Sequence, residues 1–358
     1  MRQAMKKVVL GALMGAALVS LAGCGGGSAP KTSGVPKDTL VVGLPKDPET
    51  LDPAVTMDNT SWSITYPAYE RLVRYKTVDG KASTEVEPWL AKSWDVSGDG
   101  LTWTFHLADG HKFADGSPVD AKAVKFSIER VQKMKKGPSD YFKVVESIET
   151  PDASTVVFHL KKPFAPFLYT FAVNASGIVN PKVMDQAKDN DMGTSYLATH
   201  TMGSGAYEIT SYTPSQSIKI DAQKNYAGKA PAISHVIFHI IKDPSAQRLQ
   251  LEKGDLDIAQ GIPMDQIDQL KSNKELHVYE DPSLLCSLVY LNNQKGPTAN
   301  KDFRRALSYA IDYKAVIDGA VKGRGEALTS AVPKGMWEQK KLRCHSTQLL
   351  AVLVMAYL

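Results

Sequence analysis

Apolar residues in this chain switch period again and again, without settling into a steady strand–helix alternation. Leu101-Thr102-Trp103-Thr104-Phe105-His106-Leu107 alternates apolar and polar, which predicts a half-buried strand. Asp120 then opens a helix over 121–134, with Ala123, Val124, Phe126 and Ile128 on its apolar face. Further strands are predicted at 39–43, 144–148, 155–160, 203–209, 217–222 and 235–241, and further helices at 61–74, 244–253 and 303–321. Turn clusters punctuate them at Asp79-Gly80, Ser97-Gly98-Asp99-Gly100, Asp109-Gly110, Asp115-Gly116 and Gly254-Asp255. The mixture predicts α/β lobes carrying long insertions. The length, 358 residues, allows about two or three domains.

The first 24 residues stand apart from that body. Arg2, Lys6 and Lys7 lie in a start without acids, residues 8–21 are apolar or small apart from Ser20, and Leu21-Ala22-Gly23-Cys24 follows. A basic start, a short apolar run and small residues before a cut predict a secretory signal peptide over 1–23. The run is too short to cross about 30 Å of hydrocarbon as a helix. Leu21-Ala22-Gly23 before Cys24 resembles a bacterial lipobox. That resemblance implies that Cys24 carries lipid and begins the mature chain, anchored on the extracytoplasmic face of the cell envelope. Gly25, Gly26, Gly27, Ser28, Pro30, Ser33, Gly34 and Pro36 predict a flexible tether over 24–37.

Composition narrows the chemistry. Hydrophobic content of 43% and charged content of 22% are ordinary for a globular protein. The net charge of +4 owes part of its sign to the leader and to Lys340, Lys341 and Arg343. Lys135-Lys136 and Lys161-Lys162 are short pairs without interleaved aromatics, which reads as solvated surface and argues against nucleic acid. Of three cysteines, Cys286 lies in an apolar run and is expected to be a buried small hydrophobe, while Cys344 sits in the tail. Without a Cys-x-x-Cys pair, neither zinc nor a disulfide framework is indicated. The histidines show no metal-ligand spacing, and His235 and His239 fall in a predicted strand, where i,i+4 does not make a ligand pair. No Gly-x-Ser-x-Gly elbow occurs. Met202-Gly203-Ser204-Gly205 lacks the context of a phosphate loop and predicts backbone geometry at a domain crossing. Trp89, Trp94 and Trp103 are expected in core. An enzyme therefore has no anchor in the sequence, and no cofactor or metal is expected.

Several segments match one family in order. They are Leu40-Val41-Val42-Gly43, Leu51-Asp52-Pro53, Ala68-Tyr69-Glu70-Arg71-Leu72, the stretch 89–116, Met202-Gly203-Ser204-Gly205-Ala206-Tyr207, Gly254-Asp255-Leu256-Asp257 and Phe303-Arg304-Arg305-Ala306-Leu307. Over residues 38–337 the chain resembles bacterial extracellular solute-binding proteins of the peptide/nickel type, family 5. Ala108 stands where that family usually carries a base. The resemblance implies an α/β fold of periplasmic-binding-protein-like type II lobes with an inserted α+β domain. It divides the chain into a discontinuous domain I (38–67 and 185–284), domain II (68–184) and the start of domain III (285–337).

What the resemblance implies functionally is a receptor, monomeric and lipid-anchored, that hands a peptide or similar small solute to the permease of an ABC importer by hinge closure. Ligand would lie between domains I and III. Thr56, Asn59, Thr60, Ser61 and Trp62 would form one wall, and Tyr290 and Asn292 another. A cleft with apolar area and a few placed polar groups suits a small ligand. The rival class is an envelope-anchored hydrolase, for which no motif is found. After Trp337 the family pattern breaks, and residues 338–358 read as a non-homologous tail. The expectation is a frameshifted or prematurely stopped copy with an incomplete third domain and impaired binding.

Overall fold

The computed structural model describes residues 38–78, 80–280, 286–328 and 355–357. The described residues all belong to one compact unit. The leader, Cys24, the tether and Cys344 lie outside the described residues, as does the 338–358 tail apart from 355–357.

In chain order come β1 (Thr39–Leu44), α1 (Asn59–Thr65), β2 (Val73–Val78), β3 (Lys81–Pro88), β4 (Ala91–Val96) and β5 (Thr102–Leu107). Next are α2 (Ala121–Met134), β6 (Val145–Glu149), β7 (Thr155–Leu160), α3 (Thr194–Leu197), β8 (Tyr207–Thr213), β9 (Ser217–Ala222) and β10 (His235–Ile240). The remainder are α4 (Pro244–Lys253), β11 (Ile258–Ala259), α5 (Met264–Lys271), β12 (Cys286–Ser287), α6 (Lys301–Ala310), α7 (Tyr313–Val321), β13 (Gly325–Ala327) and β14 (Met355–Tyr357).

Two larger sheets organise these elements. The first has the order β11-β1-β10-β9-β8. Its β1 runs parallel to both β10 and β11, with Val42 opposite Phe238 and Ile258, while β9 is antiparallel to β10 and β8. A strand at the start of the chain is thus completed by strands roughly 200 residues later, a parallel pairing that needs a long crossover. Val42, Leu44, Leu51, Ile64, Ile218, Ile220, Val236 and Phe238 form its core. The turn Gly254-Asp255-Leu256-Asp257 brings β11 to β1, where Asp257 accepts the Val41 amide at 2.7 Å.

The second sheet is antiparallel, in the order β4-β5-β7-β6. Alternation does what the sequence predicts: Trp103, Phe105 and Leu107 of β5, and Val156, Phe158 and Leu160 of β7, face one core. Phe171 packs there at about 5 Å centroid spacing, edge-to-face against Phe105 and Phe167 and tilted against Phe158. Helix α2 covers this core, and Asp120 caps it by accepting the Ala123 amide at 2.9 Å. Trp103 is buried and Trp94 packs against the same cluster. Gly110 and Gly116 adopt φ of +87° and +81°, so their Asp-Gly pairs are left-handed turns. The two lysine pairs are exposed.

The elements depart from the sequence reading in four places. Helix α1 stops at Thr65 instead of running to Arg74, because Pro67 has no amide to continue it, and Val73 already starts β2. Strand β8 begins at Tyr207, since residues 203–206 are committed to a close chain crossing. The helix expected over 303–321 is two helices, broken where Ile311 turns extended and Asp312 caps α7 through the Ala315 amide. Cys286, expected buried, is half-buried in the short β12, and residues 281–285 beside it lie outside the described residues.

Candidate binding site at the chain crossing

The chain passes between the two larger sheets along residues 66–72 and along 198–206. These two passages bond to each other. The Gly205 amide donates to the Ala68 carbonyl at 3.0 Å and the Tyr207 amide to the Pro67 carbonyl at 3.2 Å. Tyr69, fully buried, accepts the Met202 amide on its hydroxyl at 3.3 Å, and burial pushes that hydroxyl's pKa upward. The glycines are required sterically. A Cβ on Gly203 would stand 2.0 Å from the Ala68 carbonyl oxygen, and one on Gly205 2.3 Å from that of Pro67. The glycine-rich stretch is therefore backbone geometry, as its sequence context suggests.

Just before the first passage lie the loop and helix that carry Thr56, Asn59, Thr60, Ser61 and Trp62. Asp58 organises them. It accepts from the Ser61 amide and hydroxyl, both at 3.2 Å, and pairs with Lys46 at 2.7 Å. Burial opposes its ionisation, yet the Lys46 ammonium and the Ser61 donors together hold the Asp58 carboxyl below the usual range. The Trp62 indole reaches back to the Thr56 carbonyl at 3.4 Å. Thr56, Thr60 and Ser61 are buried, Trp62 is half-buried and Asn59 is exposed. These five residues are thus one local unit. Tyr290 and Asn292 belong to a separate loop. Tyr290 is 86% exposed, and Asn292 accepts the amides of Gln294 and Lys295 within its own turn.

Charged residues that the sequence motifs contained but gave no role surround the same passage. Asp52, from Leu51-Asp52-Pro53, caps its own turn through the Ala54 amide at 2.9 Å and pairs with Arg130 of α2, both side chains fully buried. Thr194 and the Met192 carbonyl complete the arginine's bonding. Glu70 is buried and bonds through both oxygens to Nδ1 of His111 at 3.0 Å. Arg71 is also buried, with its guanidinium 3.6 Å from the Tyr66 ring centroid and 4.7 Å from that of Trp89. The signal for all three was available: a charge inside an otherwise apolar stretch, as in Ala68-Tyr69-Glu70-Arg71-Leu72-Val73. Among the described residues no cluster of three or more His, Cys, Asp or Glu could hold a metal ion, and no helix is long and apolar enough to cross a membrane.

The crossing thus sets two bonded passages beside a hydrogen-bonded loop and a half-buried indole. The profile of the bacterial extracellular solute-binding proteins, family 5 middle region, matches residues 85–343. The chain is 46% identical over 304 residues to the probable D,D-dipeptide-binding periplasmic protein DdpA of Escherichia coli strain K12, covering 85% of this chain and 58% of that one. It is 29% identical to a dipeptide-binding protein of the same strain, covering 84% of this chain and 59% of that one. The structure of the periplasmic binding protein DppA from Helicobacter pylori, in complex with the peptide STSA, superposes with a TM-score of 0.73 at 27% identity, covering 84% of this chain and 61% of that one. The chain thus spans under two thirds of the length of these relatives. Its fold is the α/β fold of type II periplasmic binding proteins, and its relatives are binding proteins rather than hydrolases, so the non-enzymatic reading of the sequence stands with them. This chain belongs to the bacterial extracellular solute-binding proteins of family 5.

Proposed function

We propose that the protein is a lipid-anchored extracytoplasmic receptor that binds a dipeptide or similar small peptide and delivers it to an ABC importer without altering it. The observation that carries this reading is the 46% identity with a D,D-dipeptide-binding relative over 304 residues, which run through the crossing and the loop before it. Thr56, Asn59, Thr60, Ser61 and Trp62 form one wall of the ligand cleft, and Tyr290 and Asn292 contribute a second. The domains are those the family pattern implies: 38–67 with 185–284, then 68–184, then the start of a third over 285–337. The paired passages at Ala68 and Gly205 act as the hinge about which the lobes close, small backbone rotations there moving whole sheets. Lipid on Cys24 holds the monomeric receptor at the membrane.

The test is a thermal melt with and without D-alanyl-D-alanine. Ligand that binds only the folded state raises the melting temperature by mass action. A dose-dependent rise, with the dipeptide recovered intact, supports the reading. An unchanged melt at millimolar dipeptide, or cleavage of the peptide bond, contradicts it.

A further inference from the structure

Arg71 is a buried cation whose contacts among the described residues are two aromatic rings and a backbone carbonyl. Its exposure is 0%, and the Glu70 charge favours its ionised form without outweighing burial. Glu70, its neighbour in the chain, spends both oxygens on His111. The guanidinium has only two long bonds, 3.4 and 3.5 Å, to the Tyr66 carbonyl, and Nε has no hydrogen-bond partner. Arginine offers five donors in a planar fork that matches a carboxylate, so most of this capacity is unused. Burial, the largest influence, pulls its pKa down to about 10, as expected where a charge is poorly compensated.

Two rings flank the cation, that of Tyr66 at 3.6 Å, itself 37% exposed, and that of Trp89 at 4.7 Å. Tyr66 follows directly on α1, so it and Arg71 sit on the piece of chain that carries Trp62 and leads into the crossing. A guanidinium held against the ring of a partly exposed tyrosine can exchange that ring for a charged acceptor. The exchange replaces a cation–π contact by charge-assisted hydrogen bonds, which are stronger and directional.

We propose that Arg71 is a subsite for a ligand carboxylate, covered by Tyr66 until the carboxylate displaces the ring. The subsite deepens the peptide-binding reading and rests on it, because a free peptide ends in a carboxylate. Binding there would load the passage that pairs with Gly205 and so couple recognition to the hinge.

The test observes Arg71 directly, through the ¹⁵Nε–H resonance of its side chain, assigned by its loss in Arg71→Lys. Wild-type protein is titrated with N-acetyl-D-alanine and, separately, with N-acetyl-D-alaninamide, which lacks the carboxylate. The resonance is expected to move with the acid and to stay with the amide. In Tyr66→Ala, where the cover is gone, it is expected to move at roughly tenfold lower acid concentration, because the binding-competent state no longer has to be selected. A resonance still at saturating acid in both proteins, or equal movement with the amide, overturns the subsite. Parallel calorimetry with D-alanyl-D-alanine separates the two ideas. Dipeptide binding with a still Arg71 leaves the peptide reading and removes the subsite. A moving Arg71 without dipeptide binding removes the peptide reading and leaves a carboxylate site.

Discussion

Arg130 and Asp52 meet through two contacts of 2.7 and 2.5 Å, with both side chains wholly out of solvent. The pair ties helix α2, and with it the aromatic core of the second sheet, to the turn that leads into α1. Thr194 adds a hydroxyl to the same carboxylate at 3.0 Å. Removing one partner leaves the other as an uncompensated buried charge. Asp52→Ala or Arg130→Met should therefore lower unfolding free energy by about 3–5 kcal/mol. The double variant Asp52→Ala/Arg130→Met should lose clearly less than the sum. Urea unfolding of the four proteins checks this, and strict additivity would show that the pair is not an energetic unit.

The crossing makes a steric prediction. At Gly203 and Gly205 a Cβ would fall on backbone carbonyl oxygens, which cannot rotate away as a flexible side chain could. Gly205→Ala should cost at least the ~1–3 kcal/mol typical of overpacking. Gly98→Ala, at a position with open space around it, should cost under 1 kcal/mol. Melting temperatures of the two variants decide it, and equal values would mean that the passages can part without penalty.

Acid sensitivity follows from Asp191. Bonds from the Ser195 hydroxyl and amide, and from the Lys188 and Gly193 amides, hold its carboxyl well below the usual range. A depressed folded-state pKa contributes stability that is complete above the unfolded value of about 3.9 and is lost as pH falls from there toward the folded value. Stability of the wild type should thus decline more steeply below pH 4 than that of Asp191→Asn, while the two run parallel between pH 6 and 8. Denaturant midpoints measured across that range test the sign. A parallel decline below pH 4 would assign the acid sensitivity elsewhere.

Protease should distinguish the parts of the chain. Residues 68–184 hold the largest buried cluster, built on Phe105, Phe158 and Phe171. Helix α6 buries none of its residues, and Tyr290 and Tyr309 are 86% and 77% exposed. Segments with few buried contacts open first. Brief chymotrypsin treatment should cleave within 286–310 before it cuts between 90 and 175, as read by mass spectrometry of the fragments. Early cuts within 90–175 would contradict this ranking.

Where several local signals agreed, the sequence reading matched the structure. Asp120 as cap and the apolar spacing behind it give α2 its observed bounds, and Pro244, Gly254 and the intervening pattern do the same for α4. Period-two alternation places β5, β7 and β9. Tertiary demands account for the misses. Ile64, Ala68 and Leu72 have helical spacing, but Pro67 and the pairing of Ala68 with Gly205 end the helix first. Ile311 and Asp312 interrupt an apolar pattern that spacing alone reads as continuous. Arg130 occupies the buried face of α2, and its partner lies 78 residues earlier in the chain, a relationship no local pattern encodes. The residues from Thr56 to Trp62 were named only through the family resemblance, whereas Glu70 and Arg71 were legible as charges inside an apolar stretch whose burial the structure reveals.

The most direct test of a solute-binding crossing is the indole ¹⁵N–H resonance of Trp62, followed as D-alanyl-D-alanine is added to the protein. The indole is half-buried and bonded to the Thr56 carbonyl at 3.4 Å, so a ligand against this wall must change its surroundings. The account predicts a saturable shift of Trp62 with the buried Trp103 indole unmoved. A Trp62 resonance that stays in place at saturating dipeptide would contradict it.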